Sequence, residues 1–302
     1  MKTKENSLCN VLTLKKCAKY LKKHDNYIIL THASPDGDTL GSAYALYYGL
    51  NEIGKCACVI CPDVIPKKYD YFARITDHVH RENATIVAVD VADKTLLGDL
   101  TQEFGDIIDL NIDHHISNTK FAKNLLLDAD AAATAEIVFE LLTLLKVNIN
   151  DVTAKALYTG IATDTGSFKY SNVTAKTHII AAMLYDYNID ASEINRLMFD
   201  TKSKNMLELE KQVLETAEFH FDDRCMLLCV TAEMQEKTGL HPKQPVTREN
   251  IKAHTPETPD DAEEIFTAEM KQQLNEVFEK MERNLLLELS LDDRPVSAEL
   301  ES

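Results

Sequence analysis

The 302 residues are 45% hydrophobic and 27% charged, enough to bury a large core and more naturally two domains than one. No apolar run approaches the roughly 20 residues of a membrane helix, and the N-terminus MKTKENSLCN lacks the apolar stretch of a secretory signal, so a soluble cytoplasmic protein with no membrane partner is expected. A formal net charge of −17 argues against coating long duplex nucleic acid, whereas a short nucleotide held through metal ions stays compatible with it, because the ions invert the local field.

Taken in chain order, YIILTH, CACVICP, TIVAVD and DIIDLNIDHH are short apolar runs bounded by polar and turn residues, and they read as strands. The cysteines of CACVIC lack a second pair or a histidine to complete a metal site, so they read as small packing residues with reduced thiols. From Asp38 to Ile53, the spacing of Leu40, Ala43, Leu46, Tyr47 and Leu50 predicts a helix entered through the turn Ser34-Pro35-Asp36-Gly37. Strand and helix alternation of this kind predicts an α/β fold with a doubly wound, mainly parallel sheet, whose ligands bind outside the carboxyl ends of the strands.

After Leu127 the chain turns helical, with Thr134, Thr153, Thr174 and Ser192 as candidate N-caps. A further helix from about Lys202 to Phe219 leads into the strand-like CMLLCVTAEM. Four prolines, Pro242, Pro245, Pro256 and Pro259, mark a linker. Beyond it, Ile265, Phe266, Met270, Leu274, Val277, Phe278 and Met281 lie at helical spacing in a segment where residues 256–302 hold 4 Lys or Arg against 14 Asp or Glu. This acidic amphipathic helix is expected to pack on the body or on a partner copy, which leaves room for a homodimer. The expected organisation is 1–200 for the α/β domain, 201–220 for a connecting helix, 221–240 for the start of a second domain, 241–261 for the linker and 262–302 for the tail.

The chemistry is carried by His32, Asp36 and Asp38 in THASPDGDTLGS, Asp90 in VAVD, Asp113, His114 and His115 in NIDHH, and Asp164 in ATDTGSF. Each part alone is ordinary, since an Asp-Gly-Asp turn is usually only a turn. Together they put hard oxygen donors and imidazoles at the ends of apolar runs. A pair of divalent ions about 3.5 to 4 Å apart, competent for in-line displacement at phosphorus, needs such a set with one bridging carboxylate. Gly37 is expected to allow a tight turn that aims Asp36 and Asp38 at one point, and Asp90 is the candidate bridge. His114 and Asp164 would complete the second site, His115 is free to act as an acid or phosphate ligand, and Asp113 can orient a neighbouring imidazole. His24, His78, His80, His178, His220, His241 and His254 have no such carboxylate company.

The stretches HASPDGDTLGSAYAL, VDVADK, IDHHISNTKFA, ADAAATAEIVFELL and LYTGIATDTGSFKYSNVTAKTHIIAAML closely resemble the DHH family of phosphoesterases, named for the Asp-His-His seen here as Asp113-His114-His115. The resemblance runs from about Tyr27 to Met234, and is strongest to members acting on short oligoribonucleotides and 3′-phosphoadenosine 5′-phosphate (pAp). It implies two divalent ions, manganese by preference, with His32, Asp36 and Asp90 on one and Asp38, Asp90, His114 and Asp164 on the other. It further implies that His115 contacts the scissile phosphate and assists the leaving group.

Relatives carry a second domain ending in a Gly-Gly-Gly-His loop that grips the substrate, and CMLLCVTAEMQEKTG looks like the opening of that domain. Here the last glycine is Gly239, so residues 240–302 cannot supply that loop. Three expectations follow. The first is a manganese-dependent phosphoesterase on short oligoribonucleotides or pAp. The second is another phosphohydrolase on the same core, such as a pyrophosphatase, polyphosphatase or cyclic dinucleotide phosphodiesterase. The third is a non-catalytic, partner-binding derivative.

Overall fold

A computed structural model describes residues 9–76, 79, 81–220 and 225–240; the linker and acidic tail expected beyond Leu240 lie outside the described residues. The chain divides after Thr201 into two units. No described helix is long and apolar enough to cross a membrane.

The first unit is built on a six-stranded, wholly parallel sheet: β1 (Asn10–Val11), β2 (Tyr27–Leu30), β3 (Ala57–Ile60), β4 (Thr85–Val89), β5 (Leu110–Asp113) and β6 (Asn124–Leu127), in the spatial order β1-β6-β5-β4-β2-β3. The helices are α1 (Leu14–Lys23), α2 (Gly37–Glu52), α3 (Thr101–Phe104), α4 (Thr134–Leu145), α5 (Asp151–Asp164), α6 (Ala175–Tyr185) and α7 (Ala191–Asn195).

The strands read as unbroken apolar runs because both faces are covered. Tyr27 and Ile29 of β2 join a large core with residues of α1, α2, α4 and α5, while Ile28 and Leu30 point the other way to Leu97, Phe104 and Ile108. That second face is covered by short helices, the 3-10 turn Lys94–Leu100 and α3, so the two layers of the α/β fold are unequal. Truncating a fully buried residue such as Leu46 to alanine is expected to cost about 2–5 kcal/mol through lost burial and a cavity.

The strand order reverses at β2. From there the chain crosses through α2 to β3, then returns to pair β4 on the opposite side. The crevice between the carboxyl ends of β2 and β4 is therefore the switch point at which such sheets bind ligands.

Helix α2 crosses α5 closely enough that a Cβ on Gly41 would lie 2.4 Å from the Ala156 carbonyl oxygen. Gly37 is needed for a similar reason rather than for a tight turn: it is the first residue of α2, and a Cβ there would meet the Thr163 side chain at 2.3 Å. Of the four candidate caps, only Thr174 acts as one, in a capping box with Thr177. Asn150 caps α5 and Asp190 caps α7, while the N-cap position of α4 is Ala133, whose side chain caps nothing. Short Asn and Asp side chains fill these N-cap positions because they reach amides two or three residues on.

The second unit contains α8 (Lys204–Leu214), a hairpin of β7 (Glu218–His220) and β8 (Cys225–Leu227), and α9 (Ala232–Thr238). The helix expected to reach Phe219 stops at Leu214. The Thr216 hydroxyl donates to Val213 O and accepts from Cys229 N, and residues 218–220 pair as a strand instead.

Candidate metal centre

Three strand ends deliver the site. His32 follows β2 by two residues, Asp90 follows β4 directly, Asp113 ends β5 and is followed by His114 and His115, and the start of α2 and end of α5 add Asp36, Asp38 and Asp164. Asp36 is the N-cap of α2: its Oδ1 accepts the amides of Asp38 and Thr39 at 3.1 and 3.0 Å. The Thr39 hydroxyl in turn donates to Val89 O at 3.1 Å, tying α2 to the end of β4.

Asp90 has φ 59°, a left-handed conformation that costs a residue bearing a Cβ roughly 1–2 kcal/mol. Its amide donates to Ile112 O of the neighbouring strand, and the turn sets its carboxylate between two imidazoles. Oδ2 lies 3.8 Å from Nε2 of His32, and Oδ1 lies 3.8 Å from Nε2 of His114. The Thr134 hydroxyl donates to that Oδ1 at 2.8 Å.

Asp38 is fully buried and serves as the missing cap of α4. It accepts the amides of Thr134 at 2.6 Å and Ala135 at 2.9 Å, with the Ser42 hydroxyl at 3.0 Å from one turn further along α2. The amides at the start of α4 thus offset part of the cost of a charge buried there.

Both imidazoles are turned the same way. His32 donates from Nδ1 to Ala33 O at 2.7 Å and His114 from Nδ1 to Ala131 O at 3.1 Å, which frees Nε2 of each as a lone-pair donor. Nε2 of His32 lies 3.6 Å from Asp36 Oδ1, and Nε2 of His114 lies 3.1 Å from Asp164 Oδ2 and 4.0 Å from Asp38 Oδ2. Buried Nε2 of His114 has no hydrogen bond of good geometry.

Three sets of donors therefore converge, each within 4.8 Å: His32, Asp36 and Asp90; Asp38, His114 and Asp164; and Asp90, His114 and His115. All six expected metal ligands come together, and Asp90 belongs to two of the sets.

The electrostatics match a centre that wants cations. Burial, reinforced by the neighbouring carboxylates, holds Asp38 and Asp90 well above the usual carboxylate range. Burial would lower His114, but the contact with Asp164 and the charges of Asp38 and Asp90 overturn this and lift it to about 10. His32 is raised against its burial by Asp36, while Asp36 is lowered against its own by His32 and the α2 amides. No lysine or arginine pairs with any of the four carboxylates among the described residues. Hard oxygens, imidazole nitrogens and surplus negative charge fit divalent cations.

Asp113 holds the imidazole of His115 and not that of His114, from which it accepts only the backbone amide at 2.9 Å. Its buried Oδ1 lies 2.7 Å from Nδ1 of His115, and its Oδ2 accepts from Asn118 at 2.6 Å. Among the other histidines, His24 stacks on Tyr20, His178 on Phe168, and His220 lies near Glu218; the rest lie outside the described residues.

Ser42, Thr134 and Asn118 were not legible as residues that hold the site. Only Ser42 carried a signal, standing one helical turn after Asp38 on the same face.

Residues 26–161 match the model of the DHH family, N-terminal domain. The chain is similar to the bifunctional oligoribonuclease and PAP phosphatase NrnA of Thermus thermophilus, with 36% identity over 219 residues covering 70% of this chain and 64% of that protein. It is 28% identical over 200 residues to a probable bifunctional oligoribonuclease and PAP phosphatase NrnA of Streptococcus mutans, covering 66% and 64%. The chain thus spans a little under two thirds of the length of these curated relatives. Among solved structures, an exopolyphosphatase-related protein from Bacteroides fragilis superposes with a TM-score of 0.65 at 24% identity, covering 76% of this chain and 72% of that one.

Proposed function

We propose that this chain, whose residues 26–161 match the DHH family N-terminal domain, is a metal-dependent phosphoesterase hydrolysing short oligoribonucleotides, pAp, or both. The reading rests above all on Asp90, whose two carboxylate oxygens face the two free imidazole nitrogens. The names of the relatives favour this substrate class over other phosphohydrolase reactions on the same core.

In this reading His32, Asp36 and Asp90 hold one divalent ion, and Asp38, Asp90, His114 and Asp164 hold the other, with manganese the preferred metal. Such a pair supplies Lewis acidity to a phosphoryl oxygen and an acidified water as nucleophile. Thr134 and the first amides of α4 fix Asp90 and Asp38, so that little reorganisation is needed when charge develops on phosphorus. His115 contacts the scissile phosphate and protonates the leaving oxygen. Its Nδ1 is committed to Asp113, which leaves Nε2 for that proton. A substrate pool of short RNA and nucleotides puts the reaction in the cytoplasm.

The test is a substrate panel with the full chain and Mn²⁺: short RNA, pAp, pyrophosphate and a chromogenic phosphodiester. Release of mononucleotide or phosphate from the first two, abolished in Asp90→Ala, is the expected result. Hydrolysis of pyrophosphate alone would move the protein to another phosphohydrolase class, and no hydrolysis of any substrate would favour a binding role.

A further inference from the structure

The loop between α5 and α6 begins at Asp164 and is wound in an unusual way. Gly166, Ser167 and Phe168 have φ of 54°, 60° and 65°, three consecutive left-handed residues, two of which carry a Cβ. Such a run persists only where its surroundings over-determine it. At the near end Thr165 does so: its carbonyl accepts from Lys169 at 2.8 Å and Tyr170 at 3.1 Å, and its hydroxyl accepts from Phe168 at 3.1 Å.

At the far end the task falls to one side chain. Asn172 Nδ2 donates to Asp164 O at 3.0 Å and to Ala132 O at 3.1 Å. Because both partners are carbonyl oxygens, only the NH₂ side of the amide can face them, and both of its protons are used. A residue that merely closed the end of α5 would need only the first bond. The second reaches the segment before α4, where the adjacent Ala131 carbonyl takes Nδ1–H of His114. One amide therefore ties the backbone that bears Asp164 to the backbone that orients His114, and the two side chains meet at 3.1 Å.

We infer that Asn172 is a positioning residue for the ion pocket of Asp38, His114 and Asp164, holding two of its ligands in register without touching the ion. The inference rests on the two-ion reading given above. Asn172 is exposed and outside the hydrophobic core, so its replacement leaves the core intact.

The experiment is calorimetric titration of the full chain with Mn²⁺, wild type against Asn172→Leu, which keeps the volume but has no donor. Asn172→Ala serves as a second donor-free variant and Asn172→Gln as the conservative one. The expected result is that one of two Mn²⁺ sites weakens about 10–100-fold in both donor-free variants, the other stays within about threefold, and Asn172→Gln recovers part of the loss. Activity of the donor-free variants returns at saturating Mn²⁺. Unchanged affinity at both sites in the two donor-free variants overturns the inference, as does an equal loss at both sites accompanied by a lower melting temperature. If the wild type itself binds no Mn²⁺, the two-ion reading fails before Asn172 is reached, and the two failures are thereby told apart.

Discussion

His115 Nδ1 and Asp113 Oδ1 are 2.7 Å apart, and Asp113 has no exposed surface. Burial alone would raise the Asp113 carboxyl, but hydrogen bonds from His115 and Asn118 hold it below its ordinary value, so it is an anion that fixes one imidazole tautomer. Asp113→Asn replaces an acceptor that faces three donors, His115 Nδ1, the His114 amide and Asn118 Nδ2, by a group that is half donor. The expected outcome is a 10–100-fold fall in kcat with KM changed less than about threefold and Mn²⁺ binding retained. Steady-state kinetics with pAp at saturating metal checks this.

Gly160 of α5 underlies Asp38 so closely that a Cβ would sit 2.7 Å from Oδ1 and 2.7 Å from the Ala135 Cβ. Neither neighbour can yield, since Asp38 is pinned by three hydrogen bonds and Ala135 by its helix. Gly160→Ala should cost about 1–3 kcal/mol of stability and weaken Mn²⁺ binding. Gly54→Ala is the control: its φ of +77° makes alanine unfavourable by about 1 kcal/mol, but nothing lies within 4 Å, so metal binding should not change. Denaturant melts and metal titration of both variants separate the two cases.

The metal-free protein should lose stability as pH rises. His114 is raised to about 10, above its unfolded value near 6.5, so its contribution is fully present below pH 6.5 and is lost as pH climbs through about 10. Asp38 and Asp90 are raised as well, so their contributions also fall with increasing pH above the ordinary carboxylate value. Cations at the centre would remove the need for these protons. Melting temperatures in chelator should therefore fall between pH 6.5 and 9, and Mn²⁺ should flatten the curve while releasing protons detectable in buffers of different ionisation enthalpy. A chelated protein with a pH-independent melt in this window would contradict the expectation.

Glu136 lies fully buried in the first turn of α4, with neither carboxylate oxygen hydrogen-bonded in good geometry. Burial raises its carboxyl against the pull of Thr177 and Lys176. A raised carboxyl favours the folded state when protonated, so the charge weighs against folding as pH rises above the ordinary glutamate value. Glu136→Gln should stabilise the protein by about 1 kcal/mol at neutral pH, with the gain shrinking toward pH 4. Urea titrations at two pH values test it.

The sequence made the strands legible because a sheet buried on both faces needs unbroken apolar runs, and YIIL and TIVAV are such runs. The candidate ligands were legible because carboxylates and imidazoles recur at the ends of these runs. What holds the ligands was not. Thr134 read as a cap, yet its hydroxyl goes to Asp90 while Asp38, 96 positions away, takes its amide. Asn172 carries no local pattern, since its partners lie 8 and 40 positions away. Gly37 read as a turn former, and only the approach of α5 reveals a steric reason. Such relationships are set by packing across long sequence separations, which periodicity cannot report.

The most direct test of the central claim is anomalous scattering from crystals of the full chain grown with Mn²⁺. Two peaks sharing Asp90, one against His32 and Asp36 and the other against Asp38, His114 and Asp164, are the expected result. No peak at Asp90 under saturating Mn²⁺, or peaks only elsewhere on the chain, would contradict a two-ion centre and the phosphoesterase chemistry built on it.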